Sequence, residues 1–234
     1  TASGKTAALD IAVFHLALEA DRGVERSAPV RIFFVVDRRL VVDSAYKRAR
    51  DIAQRLRAAN DGVLKLVADR LRRLADDPAE PLRVARLRGG MPKEPDWAIS
   101  VAQPTVVVST VDQVGSRLLF RGYGVSPSMA PVHAGLVGID SLVLLDEAHL
   151  SRAFAQTVKA VADLQARADP NSESRALQLV ALSATLPIGD ETPFGLSSTD
   201  RAHPVLAPRL ESPKPARLVT LRADAEDLAA VADE

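Results

Sequence analysis

Short apolar runs recur along the chain, and a segment with helical spacing follows most of them. Because the runs are nearly continuous in apolar residues, they are typical of strands buried in a parallel sheet. Strands are predicted at residues 31–36, 82–87, 105–109, 141–145 and 177–182. Helices are predicted at 6–20, 41–59, 63–74, 111–119 and 153–168. This alternation predicts an α/β fold, a parallel sheet with helices on both faces.

Two segments break the alternation. Residues 120–138 are rich in Gly and Pro, which predicts a long loop with a short helix. Residues 187–216 are rich in Pro, Ser and Asp, as linkers are. We therefore expect one domain over residues 1–186. Residues 187–234 are expected to be a linker and the start of a following segment, with one further strand at 217–221.

Composition narrows the class of protein. The 234 residues are 47% hydrophobic and 26% charged, which is typical of a globular protein. No apolar run approaches the roughly 20 residues of a membrane span, and the start has no secretion signal, so no membrane partner is expected. Cysteine is absent, which excludes disulfides and thiolate metal sites and fits a cytoplasmic protein.

The formal charge of zero is unevenly distributed. Residues 1–125 contain 21 Lys or Arg and 15 Asp or Glu, a net of +6, and the remaining residues have a net of −6. A basic half suits a polyanionic partner, although an unevenly solvated surface would look the same.

The first six residues, TASGKT, match the end of a phosphate-binding loop, G-x-x-x-x-G-K-[ST], without its first two positions. In such a loop, backbone N–H groups at Ser3 and Gly4 face the phosphates of ATP. The Lys5 ammonium neutralises the β- and γ-phosphates, and the Thr6 hydroxyl binds Mg²⁺. Alone, the motif could equally be a surface Gly-Lys dipeptide before a helix.

A second motif, DEAH, directly follows the predicted strand 141–145. Ligands bind at the carboxyl ends of strands in open α/β sheets. Asp146 would hold Mg²⁺ there, and Glu147 would polarise the attacking water. The alternative, in which Asp146 caps the start of a helix, is disfavoured by the apolar run before it. Together the two motifs predict a P-loop ATPase.

A third motif, Ser183-Ala184-Thr185, follows the last predicted strand. Its two hydroxyls would emerge beside the strand that carries Asp146. They could bond to His149 and so link the ATP site to a nucleic-acid site. Alone, the motif would be interpreted as a cap between strand and turn.

The series TASGKT, DEAH and SAT resembles the first RecA-like lobe of superfamily 2 helicases. Further segments are 35–49 (VVDRRLVVDSAYKRA), 87–90 (LRGG) and 109–124 (STVDQVGSRLLFRGYG). With them, residues 1–222 are similar to the helicase–nuclease of type I CRISPR interference systems. The resemblance implies an ATP- and Mg²⁺-dependent motor that unwinds DNA for degradation. Its implied partners are single-stranded DNA and a crRNA-guided surveillance complex.

The resemblance also implies nucleic-acid contacts in the loops after the non-catalytic strands. Arginine, hydroxyl and amide groups suit phosphate contacts, and glycines allow close approach of the backbone. These positions are Arg38, Arg39, Gly89, Gly90, Thr110 and Gln113. Without the resemblance, the arginines would be interpreted as a solvated loop and the glycines as a turn.

Compared with a complete enzyme of this family, the chain lacks several parts. We expect it to be a fragment, truncated within the phosphate loop, so that a central strand before the loop is missing. No second RecA-like lobe, no G-R-x-x-R segment and no His-Asp nuclease motif follows. An arginine finger increases the rate of related phosphoryl transfer by about 10³–10⁵. The fragment alone should therefore hydrolyse ATP very slowly.

Other functions stay open from the motifs. An RNA helicase or another DEAH-box remodeller would carry the same residues, as would a nucleic-acid-binding module with an inactive ATP site. A small-molecule kinase has no evident use for the third motif. Three aromatic residues, Trp97, Phe120 and Tyr123, could stack on bases. Because aromatic residues are only 4% of the chain and a core needs some, packing is the preferred interpretation.

Overall fold

The computed structural model describes residues 5–37, 39–89, 95–168, 174–183 and 195–213, without the side chains of 39–41, 95 and 209. Its five strands are Arg31–Val36 (β1), Arg83–Leu87 (β2), Thr105–Thr110 (β3), Ser141–Asp146 (β4) and Gln178–Leu182 (β5). Its helices of eight or more residues are Ala7–Leu18 (α1), Arg39–Ala58 (α2), Gly62–Leu74 (α3), Val111–Leu118 (α4), Ala130–Gly138 (α5) and Arg152–Ala168 (α6). Two short helices follow, Ser198–Arg201 (α7) and Ala207–Glu211 (α8).

The five strands form one sheet in the order β2-β3-β1-β4-β5, and all neighbours are parallel. The predicted α/β fold with a parallel sheet is thereby confirmed, and it is the arrangement of a RecA-like lobe. In the register, Val36 lies opposite Thr110, and Asp146 lies opposite Leu182. The carboxyl ends of all five strands therefore meet at one edge of the sheet.

Helices cover both faces of the sheet because successive strand residues point to opposite sides. Ile32 and Phe34 of β1 pack with α1, α2 and α3 in one apolar cluster. Phe33 and Val35 pack with residues of α4, α5 and α6 in a second cluster. β5 is more exposed than the inner strands, and the outer face of α1 is bordered by a largely apolar cavity of about 570 Å³.

The opposite edge of the sheet, where the strands begin, is held by buried charged groups. The Arg31 guanidinium donates to three backbone carbonyls, those of Leu136 (2.9 Å), Val101 (2.6 Å) and Ile139 (3.0 Å). The Asp140 carboxylate accepts from the Val30 amide at 3.1 Å and pairs with Arg26. A buried charge destabilises a fold unless it is hydrogen-bonded in this way. The contacts fix the start of β1 relative to α5 and β4.

The chain divides into two units, and the sheet belongs to the first, Gly4–Pro193. The second unit contains α7 and α8, so the described part of the predicted linker is partly helical. Ser197 and Asp200 form a capping box at the start of α7, which is why that helix forms. The strand predicted at 217–221 lies outside the described residues. Among the described helices, none combines the length and apolar character needed to cross a membrane.

Candidate active site

Lys5 lies just before α1, the first helix of the sheet domain. The helix is held on the sheet by Leu9, Val13 and Leu16, which are fully buried. Thr6 is its N-cap residue, and the Thr6 hydroxyl makes no capping hydrogen bond. The apolar anchoring of α1 therefore places an ammonium and a hydroxyl at the positive end of a helix dipole.

Asp146 is the last residue of β4, as the apolar run before it predicts. The Lys5 ammonium lies 3.2 Å from Asp146 Oδ1 and also donates a hydrogen bond to Glu147 Oε1. Lys5 is more than 140 positions away from both carboxylates in the chain, so this contact depends on the fold. The structure thus brings the lysine of the first motif to both carboxylates of the second.

The pKa values of the group reflect this contact. Burial lowers the pKa of Lys5, but hydrogen bonds from Lys5 to Glu147 and Asp146 outweigh it and raise the pKa above its usual value. The hydrogen bond from Lys5 holds the pKa of Glu147 below its usual range, against a smaller effect of burial. The lysine is therefore fully protonated, and Glu147 is ionised at neutral pH.

Glu147 has a left-handed backbone, with φ 49° and ψ 47°. Residues other than glycine adopt this conformation at a cost of about 1–2 kcal/mol, and such residues concentrate at functional sites. A short 3₁₀ helix, Ala148–Leu150, begins directly afterwards. Both carboxylates lie beside Lys5 at this turn, and Ala148 directly after it is buried in the second apolar cluster.

His149 joins the second and third motifs. Its Nδ1 lies 3.1 Å from Ser183 Oγ, just after β5, and 3.4 Å from Glu147 Oε2. The predicted contact between His149 and Ser183 is therefore present in the structure. The second contact, to Glu147, is not apparent from the motifs, because it depends on the left-handed turn between them.

The described residues fit a magnesium–nucleotide. Among them, no cluster of three or more His, Asp or Glu could hold a metal ion. Mg²⁺ is commonly bound through one or two carboxylates together with phosphate oxygens and waters. Asp146 and the Thr6 hydroxyl supply such a partial set, and the Lys5 ammonium supplies the charge that phosphates need. When bound, Mg²⁺–ATP would supply the phosphoryl group and neutralise part of its charge.

Several candidate residues lie outside the described residues: Ser3, Gly4, Arg38, Gly90 and Thr185. The backbone of Arg39 begins α2, but its side chain is not described. Their functional assignments stay predictions.

Three candidate nucleic-acid contacts lie at the same edge of the sheet as Asp146. Gly89 follows β2, Thr110 ends β3, and Gln113 is in the first turn of α4. Thr110 is only 6% exposed. The Gln113 side-chain oxygen accepts a hydrogen bond of 2.8 Å from Arg117. This contact could have been predicted from the sequence, because residues i and i+4 are neighbours on a helix.

The aromatic residues divide into two kinds. Trp97 is 2% exposed and contacts the Phe33 ring edge-on, with centroids 6.0 Å apart, so the packing interpretation is confirmed for Trp97. Phe120 and Tyr123 are 62% and 63% exposed. For these two the packing interpretation is wrong, because the turn after α4 places them on the surface.

The chain matches no protein-family model, and neither a curated protein nor a solved structure is significantly similar to it.

Proposed function

We propose that this chain is the first motor lobe of an ATP-dependent DNA helicase or translocase. The observation that carries the proposal is the contact of Lys5 with Asp146 and Glu147 at the carboxyl edge of a parallel sheet. A lysine at a helix N-terminus suits the phosphates of a nucleotide, and the adjacent carboxylates suit its Mg²⁺ and the attacking water.

In this proposal each residue has a distinct role. Lys5 binds the β- and γ-phosphates of ATP, and Asp146 with Thr6 holds Mg²⁺. Glu147 accepts the proton of the attacking water, which needs an ionised carboxylate within hydrogen-bonding reach. In the structure, the Glu147 carboxylate accepts a hydrogen bond from the Lys5 ammonium. Binding of phosphates to Lys5 would release that carboxylate for the water.

The contact between His149 and Ser183 would transmit a change at the ATP site to the end of β5. Their hydrogen bond starts two residues after the proposed base and ends at the residue directly after β5. A change in the position of Glu147 would therefore move β5 and the segment that follows it. This supports a motor, since a small-molecule kinase has no need for such a link.

The resemblance to type I CRISPR helicases suggests the wider setting. There the lobe would act with a second RecA-like lobe and a crRNA-guided surveillance complex, and it would move along single-stranded DNA for antiviral degradation. An RNA substrate is the alternative. Comparing the stimulation of the ATPase by single-stranded DNA and by RNA decides between them.

The proposal is tested in the full-length protein with two substitutions. Lys5→Ala should abolish ATP turnover and weaken ATP binding, because it removes the positive charge from the phosphates. Glu147→Gln should retain ATP binding but stop hydrolysis, since an amide is a poor base. Turnover is measured as phosphate release, and binding is measured with a fluorescent nucleotide.

Two matched substitutions control for nonspecific effects. Lys65→Ala removes a lysine of α3 that pairs with Asp69 on the surface, and Glu25→Gln changes an exposed glutamate. Both should keep normal turnover. Turnover at the unmodified rate in Glu147→Gln would exclude Glu147 as the base. Unchanged ATP binding and turnover in Lys5→Ala would refute the ATP site.

A further inference from the structure

The outer edge of the sheet carries a group of arginines around one carboxylate. Arg86 Nη1 lies 2.9 Å from Asp43 Oδ1, and Arg88 Nη1 lies 2.6 Å from Asp43 Oδ2. The two arginines belong to the edge strand β2 and the residue after it, and Asp43 is on α2. Asp43, Tyr46, Arg50, Arg86 and Arg88 are called the Asp43 cluster below.

The Tyr46 ring contacts two of these arginines, Arg50 and Arg86. The Arg86 guanidinium carbon lies 4.6 Å from the ring centroid, and that of Arg50 lies 6.0 Å away. Cations within about 6 Å of an aromatic face are attracted to it. Three guanidinium groups and one carboxylate give the cluster a net charge of +2. Within the cluster, the carboxylate orients two arginines and balances one of the three positive charges.

The position of the cluster relates it to the candidate nucleic-acid contacts. Arg88 directly precedes Gly89, and Leu87 lies opposite Ser109 in the register of β2 and β3. Arg88 is thus next to Thr110 at the carboxyl edge. Arg86 is on β2 and Arg88 directly follows the strand, and both side chains reach the same carboxylate on α2.

We propose that Arg86 and Arg88 contact backbone phosphates of the single-stranded nucleic acid, with Asp43 and Tyr46 as positioning residues. This inference rests on the proposed function and adds two arginines to the candidate contacts at the end of β2. Guanidinium groups held in a fixed orientation suit phosphate oxygens, because both pairs of hydrogen bonds are preorganised.

The competing explanation is a purely structural role, in which the ion pairs only join β2 to α2. The Arg86 and Arg88 side chains are 19% and 24% exposed and that of Asp43 is 46% exposed, so part of each side chain stays accessible from solvent. The two explanations differ in what removing Asp43 does. Asp43→Asn breaks both ion pairs but keeps both cations.

The test measures single-stranded DNA binding by the full-length protein at several salt concentrations, with two unrelated oligonucleotides. Arg86→Gln combined with Arg88→Gln should weaken binding equally on both sequences. The slope of log affinity against log salt should fall by about 1.4, since each phosphate contact on a single strand contributes about 0.7. Asp43→Asn should retain most of the slope.

The matched control is Arg72→Gln combined with Arg73→Gln. These two arginines of α3 also pair with carboxylates, those of Asp69 and Asp21. The slope of this control should stay unchanged. Thermal unfolding of every variant shows whether it is folded.

The possible results separate the two proposals. No binding of DNA or RNA by the unmodified protein would refute the proposed function itself. Normal binding by the unmodified protein with an unchanged slope in the Arg86 and Arg88 variant would overturn only this inference. Equal loss of slope in that variant and in Asp43→Asn would show that the cluster acts through the structure of the edge, which also overturns it.

Discussion

Glu19 offers a quantitative test of how α1, and with it Lys5, is held on the sheet. Glu19 follows the last residue of α1 and is 6% exposed. One of its carboxylate oxygens accepts hydrogen bonds from the Ser27 amide (2.7 Å), the Ser27 hydroxyl (2.9 Å) and the Ala28 amide (2.8 Å). These contacts join the end of α1 to the segment that leads into β1. They should therefore stabilise the fold only while the carboxylate is ionised.

The expected magnitude follows from the pKa of the carboxyl. The hydrogen bond from the Ala28 amide, with those from Ser27, lowers the pKa of Glu19 from 4.5 to about 2, against the opposing effect of burial. One pKa unit corresponds to about 1.36 kcal/mol, so the shift represents about 3 kcal/mol. Because the folded-state pKa is depressed, this stability is fully present above pH 4.5. It is lost progressively as the pH falls from 4.5 towards 2.

The assay is urea unfolding of the unmodified chain and of Glu19→Gln between pH 3 and pH 7. At pH 7 the substitution should lower the free energy of unfolding by about 3 kcal/mol, and the difference should shrink below pH 4.5. Glu25→Gln, at an exposed glutamate, should change it by less than about 0.5 kcal/mol throughout. A difference for Glu19→Gln that is below about 1 kcal/mol at pH 7, or that does not vary with pH, would refute the reasoning.

Two further substitutions test the coupling contact and the exposed turn. Ser183→Ala with Thr185→Ala should weaken unwinding while sparing much of the DNA-stimulated ATPase, because the Ser183–His149 contact is proposed to link the ATP site to β5, and Lys5, Asp146 and Glu147 stay intact. Ser126→Ala in an exposed loop is the control, and equal loss of both activities would contradict a coupling role. Phe120→Gly should raise the melting temperature and increase the free energy of unfolding by up to about 1 kcal/mol, because glycine relieves the left-handed backbone (φ 61°) and little packing is lost. Phe120→Ala separates loss of the ring from relief of the backbone, and a lower melting temperature for Phe120→Gly than for Phe120→Ala would contradict this explanation.

The strands could be predicted from the sequence because the inner parallel strands are buried on both faces. Their apolar runs end where burial ends, and each predicted strand agrees with the structure to within one residue at either end. The five predicted helices agree with the structure to within two residues at either end, and the short helix expected in residues 120–138 is present. α5 lies in the Gly- and Pro-rich stretch predicted as a loop with a short helix. A proline in its first turn is compatible with a helix, because the amide lost there has no intrahelical partner.

The short helix α7 was not predicted from the sequence. Its stretch was assigned to a linker by composition, although the sequence contains a local signal. Ser197 with Asp200 three residues later is the spacing of a capping box. Composition averages over such pairs, so it does not detect a helix of one turn.

The candidate site was predictable as far as strand ends determine it. The apolar run before Asp146 predicts its place at the edge of the sheet, and the structure agrees. The side-chain contact between His149 and Ser183 was also predicted from the motifs, but the contacts of Glu147 were not. The hydrogen bond from Lys5 to Glu147 requires the left-handed turn at Glu147. The exposure of Phe120 and Tyr123 could not be predicted either, because apolar side chains occupy much of any protein surface.

The order of the strands separates the proposed chemistry from the proposed DNA contacts along one edge. β1 is central, with β3 and β4 as its neighbours. The proposed ATP site is on β4, and the arginines of β2 are three strands away, about 14 Å across the sheet. The bond between His149 and Ser183 leads the other way, from β4 to β5. A coupling role for this bond therefore requires that the ATP site moves β5 and the segment after it. The proposed nucleic-acid contacts at the ends of β2 and β3 would then stay in place while β5 moves.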